Sequence, residues 1–307
     1  MNYITLRQTI QDYAENTEAM FVANIPMFIQ QAEQRIYNSV QIPILRKNVT
    51  GNVTLSNAYL SCPDDFLSVY SLAVIDSSGS YKYLIDKDVS FIREAYPSVL
   101  DKSIPKYYSI FGPQLSYKNE VSLLLAPTPD ANYNVELHYF YYPVSIVQGI
   151  LSTIGITSGG SGYTVGNYYD VALSGGNGFY AAANITVSTA GVVTSVSLVN
   201  NGSLYVVGDV LSVYTGALGV KGTGFKLTVS AVSNAAGTSW LGDNYDPVLL
   251  YGAMREAVIF MKGEADMVGY YEQKYQEAIT QLKRLGDGLE RGDAYRNNQT
   301  KLPYNGL

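Results

Sequence analysis

The sequence predicts an α+β fold: a helical bundle built from the N- and C-terminal segments, a small antiparallel β domain, and an inserted all-β, sandwich-like repeat domain. Helical spacing of apolar residues in both terminal segments, alternation between residues 47 and 142, and a Gly-, Ser-, Thr-, Val- and Tyr-rich middle predict it. The predicted domains are a core of residues 1–147 and 235–292, an insert of residues 148–234, and an extended C-terminal arm of residues 293–307.

The N-terminal segment is predicted to form two amphipathic helices. Residues 5–8, Thr-Leu-Arg-Gln, match a capping box, in which two side chains bond the free backbone N–H groups of a first helical turn. A second helix is predicted to start at Pro26, since proline is favoured at a first helical position, and to end before Pro43. These helices are the expected partners of the C-terminal helices.

A small antiparallel β domain is predicted between residues 47 and 142. Apolar and polar residues alternate there, which is typical of strands with one buried face, and turns containing Pro or Gly separate the strands. Residues 114–117 are predicted to form one of these strands. Residues 89–96 are predicted to form a short helix that Pro97 ends.

Residues 148–234 are predicted to be an inserted β module, because charge almost vanishes there. The module repeats itself: residues 160–167 return as 202–209, and residues 177–179 return as 223–225, each leading into a strand. Two copies of one strand unit, packed face to face, would cover each other's apolar side. A parent fold accepts such an insert when the two ends of the insert lie close together.

The C-terminal segment holds the longest uninterrupted helical pattern. Asp246 and Pro247 predict a helix start, and a second helix after Gly263 carries an apolar stripe at spacings of three and four residues. The stripe contains Val268, Tyr271, Tyr275, Ala278, Leu282, Leu285 and Leu289. We expect Val268, Tyr271, Tyr275, Leu282 and Leu285 to lie in the bundle or between subunits, because an isolated helix of this length cannot offset its ordering entropy.

Composition and charge exclude several classes of protein. Charged residues make up only 15% of the chain and the net charge is −6, which argues against a dominant electrostatic grip on nucleic acid. A single Cys excludes an intramolecular disulfide, and no apolar run approaches membrane-spanning length. The first residues do not resemble a signal peptide, so we expect a soluble, reducing compartment.

The candidate chemical groups predict neither catalysis nor a bound cofactor or metal. His138 lies on a predicted strand with no acid or nucleophile nearby in sequence, which favours a structural role. Cys62 beside Pro63 has no second Cys or nearby His, and is expected in a turn or in the core. The carboxylates of Asp64 and Asp65 suit a turn better than catalysis.

The sequence of the insert bears on three classes of ligand, namely calcium, phosphate and sugars. Its two aspartates, Asp170 and Asp209, are too few for a calcium-binding β-roll, and its glycine-rich segments lack the ending of a phosphate-binding loop. Its aromatic side chains can either stack on sugars at an exposed edge or pack in the core. Tyr163 and Tyr205 recur at one point of both repeats, which favours core packing.

Several short motifs follow one another in an order known from one family of virion proteins. They are Ala32-Glu33-Gln34-Arg35-Ile36, Cys62-Pro63-Asp64-Asp65-Phe66, Ile104-Pro105-Lys106-Tyr107-Tyr108, Leu125-Ala126-Pro127-Thr128-Pro129, Tyr139-Phe140-Tyr141-Tyr142-Pro143 and Thr238-Ser239-Trp240-Leu241. Without the insert, the chain resembles the head-to-tail adaptor proteins of short-tailed bacteriophages. The insert is not part of that pattern, and Cys62 stands where the family's turn usually has Leu.

The resemblance implies a structural virion protein, not an enzyme. It implies a homo-oligomeric, dodecameric ring at the head–tail junction of the virion, assembled in the host cytoplasm between the portal protein and the tail nozzle protein. DNA would pass through this ring without sequence-specific binding, and residues 148–234 would lie outside it, in reach of tail fibres. A C-terminal arm would dock on a neighbouring protein. The expected anchors of the arm are Tyr295, Arg296, Leu302, Pro303, Tyr304 and Leu307.

Two other classes of function stay open at this point. One is an oligomeric glycan-binding adhesin, or a tail-fibre-attachment protein, in which the β module binds and the helices only oligomerise it. The other is a tail depolymerase, which requires paired carboxylates in a groove. The sequence locates no such pair.

Overall fold

The computed structural model has the predicted α+β fold. It describes residues 1–112, 121–214, 216–219 and 222–300, with side chains described as far as Gly286. The chain divides into two compact units. The first unit contains Met1–Val40 and Val144–Leu285, and the second contains Gln41–Pro143 together with residues 286–300 among those described. The insert therefore clusters with the helices, whereas the sequence-based division pairs the helices with the small β domain.

The helices are α1 (Tyr3–Ala14), α2 (Ala19–Ser39), α3 (Val89–Ala95), α4 (Trp240–Asn244), α5 (Asp246–Phe260) and α6 (Ala265–Thr300). In the first unit, α5 is buried along most of its length, as its nearly continuous apolar sequence predicts. Helix α2 approaches it closely, because a Cβ built on Gly252 would lie only 2.9 Å from the Cβ of Ala32. Small residues at this crossing bring the two backbones together.

Both N-terminal helices begin earlier than predicted. Asn2 caps α1 by accepting the backbone N–H of Thr5 at 2.9 Å, so the helix starts ahead of the predicted capping box. Helix α2 starts at Ala19 and contains Pro26 in its interior. Phe21 and Ile25 are both buried, and burial of two such side chains contributes roughly 3 to 6 kcal/mol, which offsets the cost of about 3 kcal/mol for an interior proline.

The second unit contains two four-stranded sheets. Its strands are β1 (Arg46–Val53), β2 (Tyr59–Ser61), β3 (Phe66–Ile75), β4 (Tyr81–Tyr83), β5 (Ile85–Asp86), β6 (Tyr107–Phe111), β7 (Ser122–Ala126) and β8 (Tyr133–Tyr141). The strand orders are β1-β8-β3-β4 and β2-β7-β6-β5, antiparallel except for the pair β5 and β6. Val135, Leu137 and Tyr139 alternate along β8 and are buried in one core with Leu123 and Leu125 of β7. The predicted strand at residues 114–117 lies outside the described residues.

The insert is one six-stranded sheet in which the two repeats are interleaved. Its strands are β9 (Ile150–Ser161), β10 (Gly166–Ser174), β11 (Phe179–Val187), β12 (Val193–Ser203), β13 (Val210–Val213) and β14 (Thr223–Ser233), in the order β12-β11-β10-β13-β14-β9. The first strand of each repeat pairs with the third strand of the other, and the middle strands β10 and β13 pair with each other. The repeats therefore exchange strands, where two separate stacked copies were predicted.

The strand register corrects one of the predicted equivalences between the repeats. Phe179 pairs with Ser203, and Thr223 pairs with Ser161, so that Phe179 corresponds to Thr223 and not to Phe225. Burial agrees with this register, since Phe225 is 1% exposed and Phe179 is 51% exposed. The shared Gly-Phe dipeptide misled the sequence comparison because it does not reveal which residues pair across the sheet.

Tyr163 and Tyr205 do occupy equivalent positions, as predicted. The Tyr163 hydroxyl accepts the backbone N–H of Phe225 at 3.0 Å, and the Tyr205 hydroxyl accepts the backbone N–H of Ala181. Each ring therefore lies over the third strand of the opposite repeat. Tyr205 is buried in the core of the insert, and Tyr163 packs against that core.

Candidate functional site

The predicted apolar stripe on α6 is mostly enclosed by the same chain. Tyr271, Tyr275 and Leu282 are buried, and Val268 is half-buried. Leu285 is 42% exposed and is the one of these five candidates with a largely open side chain. Three of the five residues therefore pack inside the bundle of one subunit. The sequence had left open whether they pack there or between subunits.

The turn that joins α5 to α6 exposes several large apolar side chains. Ile259 and Phe260 end α5, while Met267 and Tyr270 lie in the first turns of α6, and all four are between 40% and 52% exposed. We call these four residues the α5–α6 corner. The Phe260 ring also lies 5.2 Å from the ring of Phe28, so the corner is anchored to α2. Apolar surface of this kind is a candidate contact for another protein chain.

An ion-pair network joins α2, α5 and α6 next to the apolar stripe of α6. Arg35 lies 3.1 Å from a carboxylate oxygen of Glu256 and 3.6 Å from one of Glu272, and Arg255 pairs with the same two carboxylates. The pKa of Glu272 is lowered, chiefly by the hydrogen bond from Gln276 and then by the charges of Arg255 and Arg35. All four charged side chains are partly shielded from water, so the network fixes the relative placement of three helices.

We expect Arg35→Ala to lower the free energy of unfolding by about 1 to 2 kcal/mol. The substitution leaves two partly buried carboxylates with one cation fewer; breaking a fully buried pair costs about 3 to 5 kcal/mol, and partial exposure reduces that cost. Urea unfolding of the variant measures the loss. Lys283→Ala, at an exposed position on α6, serves as the control and should change stability by less than about 0.5 kcal/mol. Equal effects of the two substitutions would refute a structural role for the network.

Glu33 is a charged residue in the core that the sequence did not single out. It is 3% exposed, and its carboxylate accepts the backbone N–H of Ile146 at 2.7 Å and a hydrogen bond from the Ser145 side chain. Burial raises the pKa of Glu33 to about 7. Helix α2 thereby holds the segment that leads into β9. Position i+4 from the buried Ile29 was the available signal, since it places Glu33 on the apolar face.

The expectation that His138 has no acid or nucleophile nearby was wrong, because the second unit brings a hydroxyl and a carboxylate to this side chain. The Oγ of Ser71 lies 3.0 Å from Nδ1, and Oε1 of Glu136 lies 3.2 Å from Nε2. Ser71 on β3 and Asn48 on β1 are the direct cross-strand neighbours of His138, and Asn48 donates to Glu136 at 2.7 Å. The cluster is accounted for by side-chain bonds across three adjacent strands, which supports the structural role expected for His138.

Cys62 and Asp65 also serve the local structure of the second unit. Cys62 is buried in the core between the sheets. The carboxylate of Asp65 accepts the hydroxyl of Tyr139 at 2.8 Å and pairs with Lys47 at 2.5 Å. This turn carboxylate is therefore occupied by partners in its own unit, in agreement with the interpretation of the Pro-Asp-Asp sequence as a turn.

The predicted C-terminal anchors are not placed. Helix α6 continues to Thr300, so the backbone of residues 293–300 is helical where an extended arm was predicted. The side chains of Tyr295 and Arg296 lie outside the described residues, as do Leu302, Pro303, Tyr304 and Leu307 entirely. Docking through these six residues stays a prediction.

Two further features of the described residues bear on other classes of function. Among them, no group of three or more His, Cys, Asp and Glu side chains is arranged to hold a metal ion. No helix in that part of the chain is long and apolar enough to cross a membrane.

Comparison with known proteins identifies the family. The model of the SU10 adaptor protein family matches residues 1–159, more than half of the 307-residue chain. No curated protein matches the chain. The matched stretch contains α1, α2, both sheets of the second unit and most of β9, with the five motifs between Ala32 and Pro143. Adaptors of this kind are structural bacteriophage proteins that contact other virion components, and the match gives no support to an adhesin. The chain belongs to the SU10 adaptor protein family.

Proposed function

We propose that this protein is a head-to-tail adaptor that assembles as a ring between the portal protein and the tail nozzle of a short-tailed phage. The observation that carries the proposal is the family match over residues 1–159. A ring of identical chains needs one surface patch that binds a different patch on the next copy. Twelve copies are the number that the resemblance to the adaptor family implies.

The α5–α6 corner supports the ring as a surface that one subunit leaves uncovered. Its four apolar side chains are about half exposed, although most of the stripe beside them is buried. Burying them against a neighbouring copy would remove apolar surface from water, at roughly 25 cal/mol for each Å². We assign the corner to the contact between subunits.

The C-terminal residues are the proposed contact with the portal or with a neighbouring subunit. Tyr295, Tyr304, Leu302 and Leu307 offer aromatic and aliphatic anchors of the kind that dominate binding energies at interfaces. Arg296 and Pro303 accompany them. The insert is proposed to face outward, where it can meet tail fibres, because an added β domain inside the ring would obstruct passage of DNA.

Charge supports the proposal that DNA passes through the ring without being held. The chain has 20 Lys and Arg residues against 26 Asp and Glu residues, which gives a net charge of −6. A lumen rich in basic side chains would bind the phosphates and release counterions, which slows passage. A weakly charged lumen suits a channel.

Native mass spectrometry and cryo-EM of the full chain, alone and with its portal protein, test the proposal. We expect a closed ring, and we expect Met267→Glu to shift it toward monomers, because a charge in a desolvated apolar contact has no partner. Thr280→Glu, at an exposed polar position on α6, is the control and should leave the ring intact. Deletion of residues 293–307 should abolish portal binding if these residues dock on the portal, and should weaken the ring if they dock on a neighbouring subunit. A protein that stays monomeric and does not bind the portal protein would refute the proposal.

A further inference from the structure

A cavity of about 540 Å³ opens between α2 and the insert, within the first unit. Its lining combines polar and apolar side chains in similar measure. The polar lining consists of Asn24 and Gln30 from α2 and Asp170, Tyr180, Asn200, Asn201 and Ser203 from the insert. No function described above uses these side chains.

Two strands of the insert depart from regular pairing beside this cavity. In β10, the two residues Tyr169 and Asp170 lie opposite the single residue Asn184 of β11. The residues before and after them pair with the two neighbours of Asn184. In β12, Val199 has no partner residue, because consecutive residues of β11 pair with the positions on either side of it. Bulges of this type turn side chains away from the regular pleat and are frequent next to binding sites. Here they place Asp170, Val199 and Asn200 around the cavity.

Two residues that line the cavity have a strained backbone. Tyr180 has a φ of +65° and Asp170 a φ of +52°, both in the left-handed region that side chains other than glycine rarely adopt. By the strand register, the position of the other repeat that corresponds to Tyr180 is Gly224, which has a φ of +85°. The fold therefore needs a positive φ there, and glycine meets that need without strain. A strained tyrosine in its place points to a role for the side chain.

The free polar atoms of the cavity define the chemistry that it can recognise. The carboxylate of Asp170 and the amide of Gln30 have no hydrogen-bond partner in the described part of the chain. Asn201 donates to the carbonyl of Leu151, which leaves its Oδ1 as an acceptor, and Asn200 accepts from Gly202, which leaves its amide N–H groups as donors. Ligand hydroxyl groups donate and accept at once, so they satisfy such a mixed set.

We propose that this cavity binds a neutral saccharide. Asp170 and the amides of Asn200 and Asn201 are placed to bond the hydroxyl groups of a pyranose ring, and the Tyr180 ring, 40% exposed, offers an apolar face to its C–H groups. None of the described residues that line the cavity is a Lys, Arg or His, and Asp170 repels anions, so phosphorylated and acidic sugars are disfavoured. This binding function goes beyond the proposed assembly function and does not depend on it.

The alternative explanation of Tyr180 is a structural link, because its hydroxyl lies 3.4 Å from the carbonyl oxygen of Ala19 on α2. Three variants separate the two explanations. Tyr180→Phe keeps the ring and removes the link, Tyr180→Gly removes both and relieves the strain, and Asp170→Asn removes the charge. Tyr169→Ala is the matched control, since Tyr169 is 75% exposed and does not line the cavity.

Saturation-transfer NMR and calorimetry of the full chain with glucose, galactose, mannose, N-acetylglucosamine and their trisaccharides, and with glucuronate as the acidic sugar, test the proposal. We expect binding of at least one neutral sugar, weakened about tenfold or more in Asp170→Asn and Tyr180→Gly and unchanged in Tyr180→Phe and Tyr169→Ala. The melting temperature of Tyr180→Gly should equal or exceed that of the original chain. The equivalent residue of the other repeat, Gly224, adopts the same positive φ without strain. Absence of binding to every neutral sugar, preference for glucuronate, or a Tyr180→Gly variant that binds normally would overturn the proposal. Loss of stability in both Tyr180→Gly and Tyr180→Phe would equally overturn it, in favour of the structural link.

Discussion

Gly222→Ala is expected to lower the free energy of unfolding of the insert by about 3 kcal/mol. The added Cβ would lie 1.7 Å from Cδ1 and 2.2 Å from Cε1 of the Tyr163 ring, far inside contact distance. The ring cannot move aside without losing the hydrogen bond between the Tyr163 hydroxyl and the backbone N–H of Phe225. Overpacking of this kind costs about 1 to 3 kcal/mol, and the loss of a buried hydrogen bond adds to it. Urea unfolding followed by circular dichroism measures the change.

The internal symmetry of the insert supplies a second substitution and a control. Gly178 stands against Tyr205 as Gly222 stands against Tyr163, and a Cβ there would lie 2.3 Å from Cγ of the ring, so Gly178→Ala should have a similar effect. Gly155→Ala is the control, because the nearest atom to its Cβ is 3.8 Å away. If both ring-facing substitutions behave like Gly155→Ala, the packing of the two tyrosines is not what holds the repeats together.

Tyr163 and Tyr205 show how much of the structure of the insert can be predicted from the sequence alone. Their recurrence at the same point of both repeats was enough to predict that Tyr163 and Tyr205 pack in the fold. Recurrence of Gly-Phe was not enough for Phe179 and Phe225, because strand register and not local sequence decides equivalence. The exchange of strands between the repeats was also not predictable. Apolar alternation indicates which face of a strand is buried, but it does not indicate which strand pairs with it.

The helices show the same limit at the candidate assembly site. The spacing of Tyr271, Tyr275 and Leu282 predicted that these side chains need a partner, and the structure supplies that partner within the subunit. Periodicity cannot distinguish a partner helix in the same chain from one in a neighbouring copy. The α5–α6 corner was missed for a related reason, because Met267 and Tyr270 fall outside the stripe and their exposure depends on the turn between two helices.

Glu33 should make the protein less stable as the pH rises from about 5 to about 8.5. Its pKa in the folded chain is raised to about 7 by burial, against a usual value of 4.5, so the folded state holds a proton that the unfolded chain has released. The contribution of Glu33 to stability is therefore fully present below pH 4.5 and is lost as the pH rises through 7. A shift of this size corresponds to about 2 to 3 kcal/mol between pH 5 and pH 8.5.

Glu33→Gln isolates this effect, because the amide stays neutral and its oxygen can still accept the backbone N–H of Ile146. The Ser145 hydroxyl can turn to accept from the new amide group. We expect the stability difference between the variant and the original chain to move in favour of the variant by about 2 to 3 kcal/mol between pH 5 and pH 8.5, as measured by urea unfolding. Glu94→Gln, at an exposed position on α3, is the control for the loss of one carboxylate from the chain. Parallel stability curves for Glu33→Gln and the original chain would mean that the buried carboxyl titrates normally.

Glu33→Ala, which removes the acceptor as well, should be less stable than Glu33→Gln at every pH, because the N–H of Ile146 then lies buried without a partner.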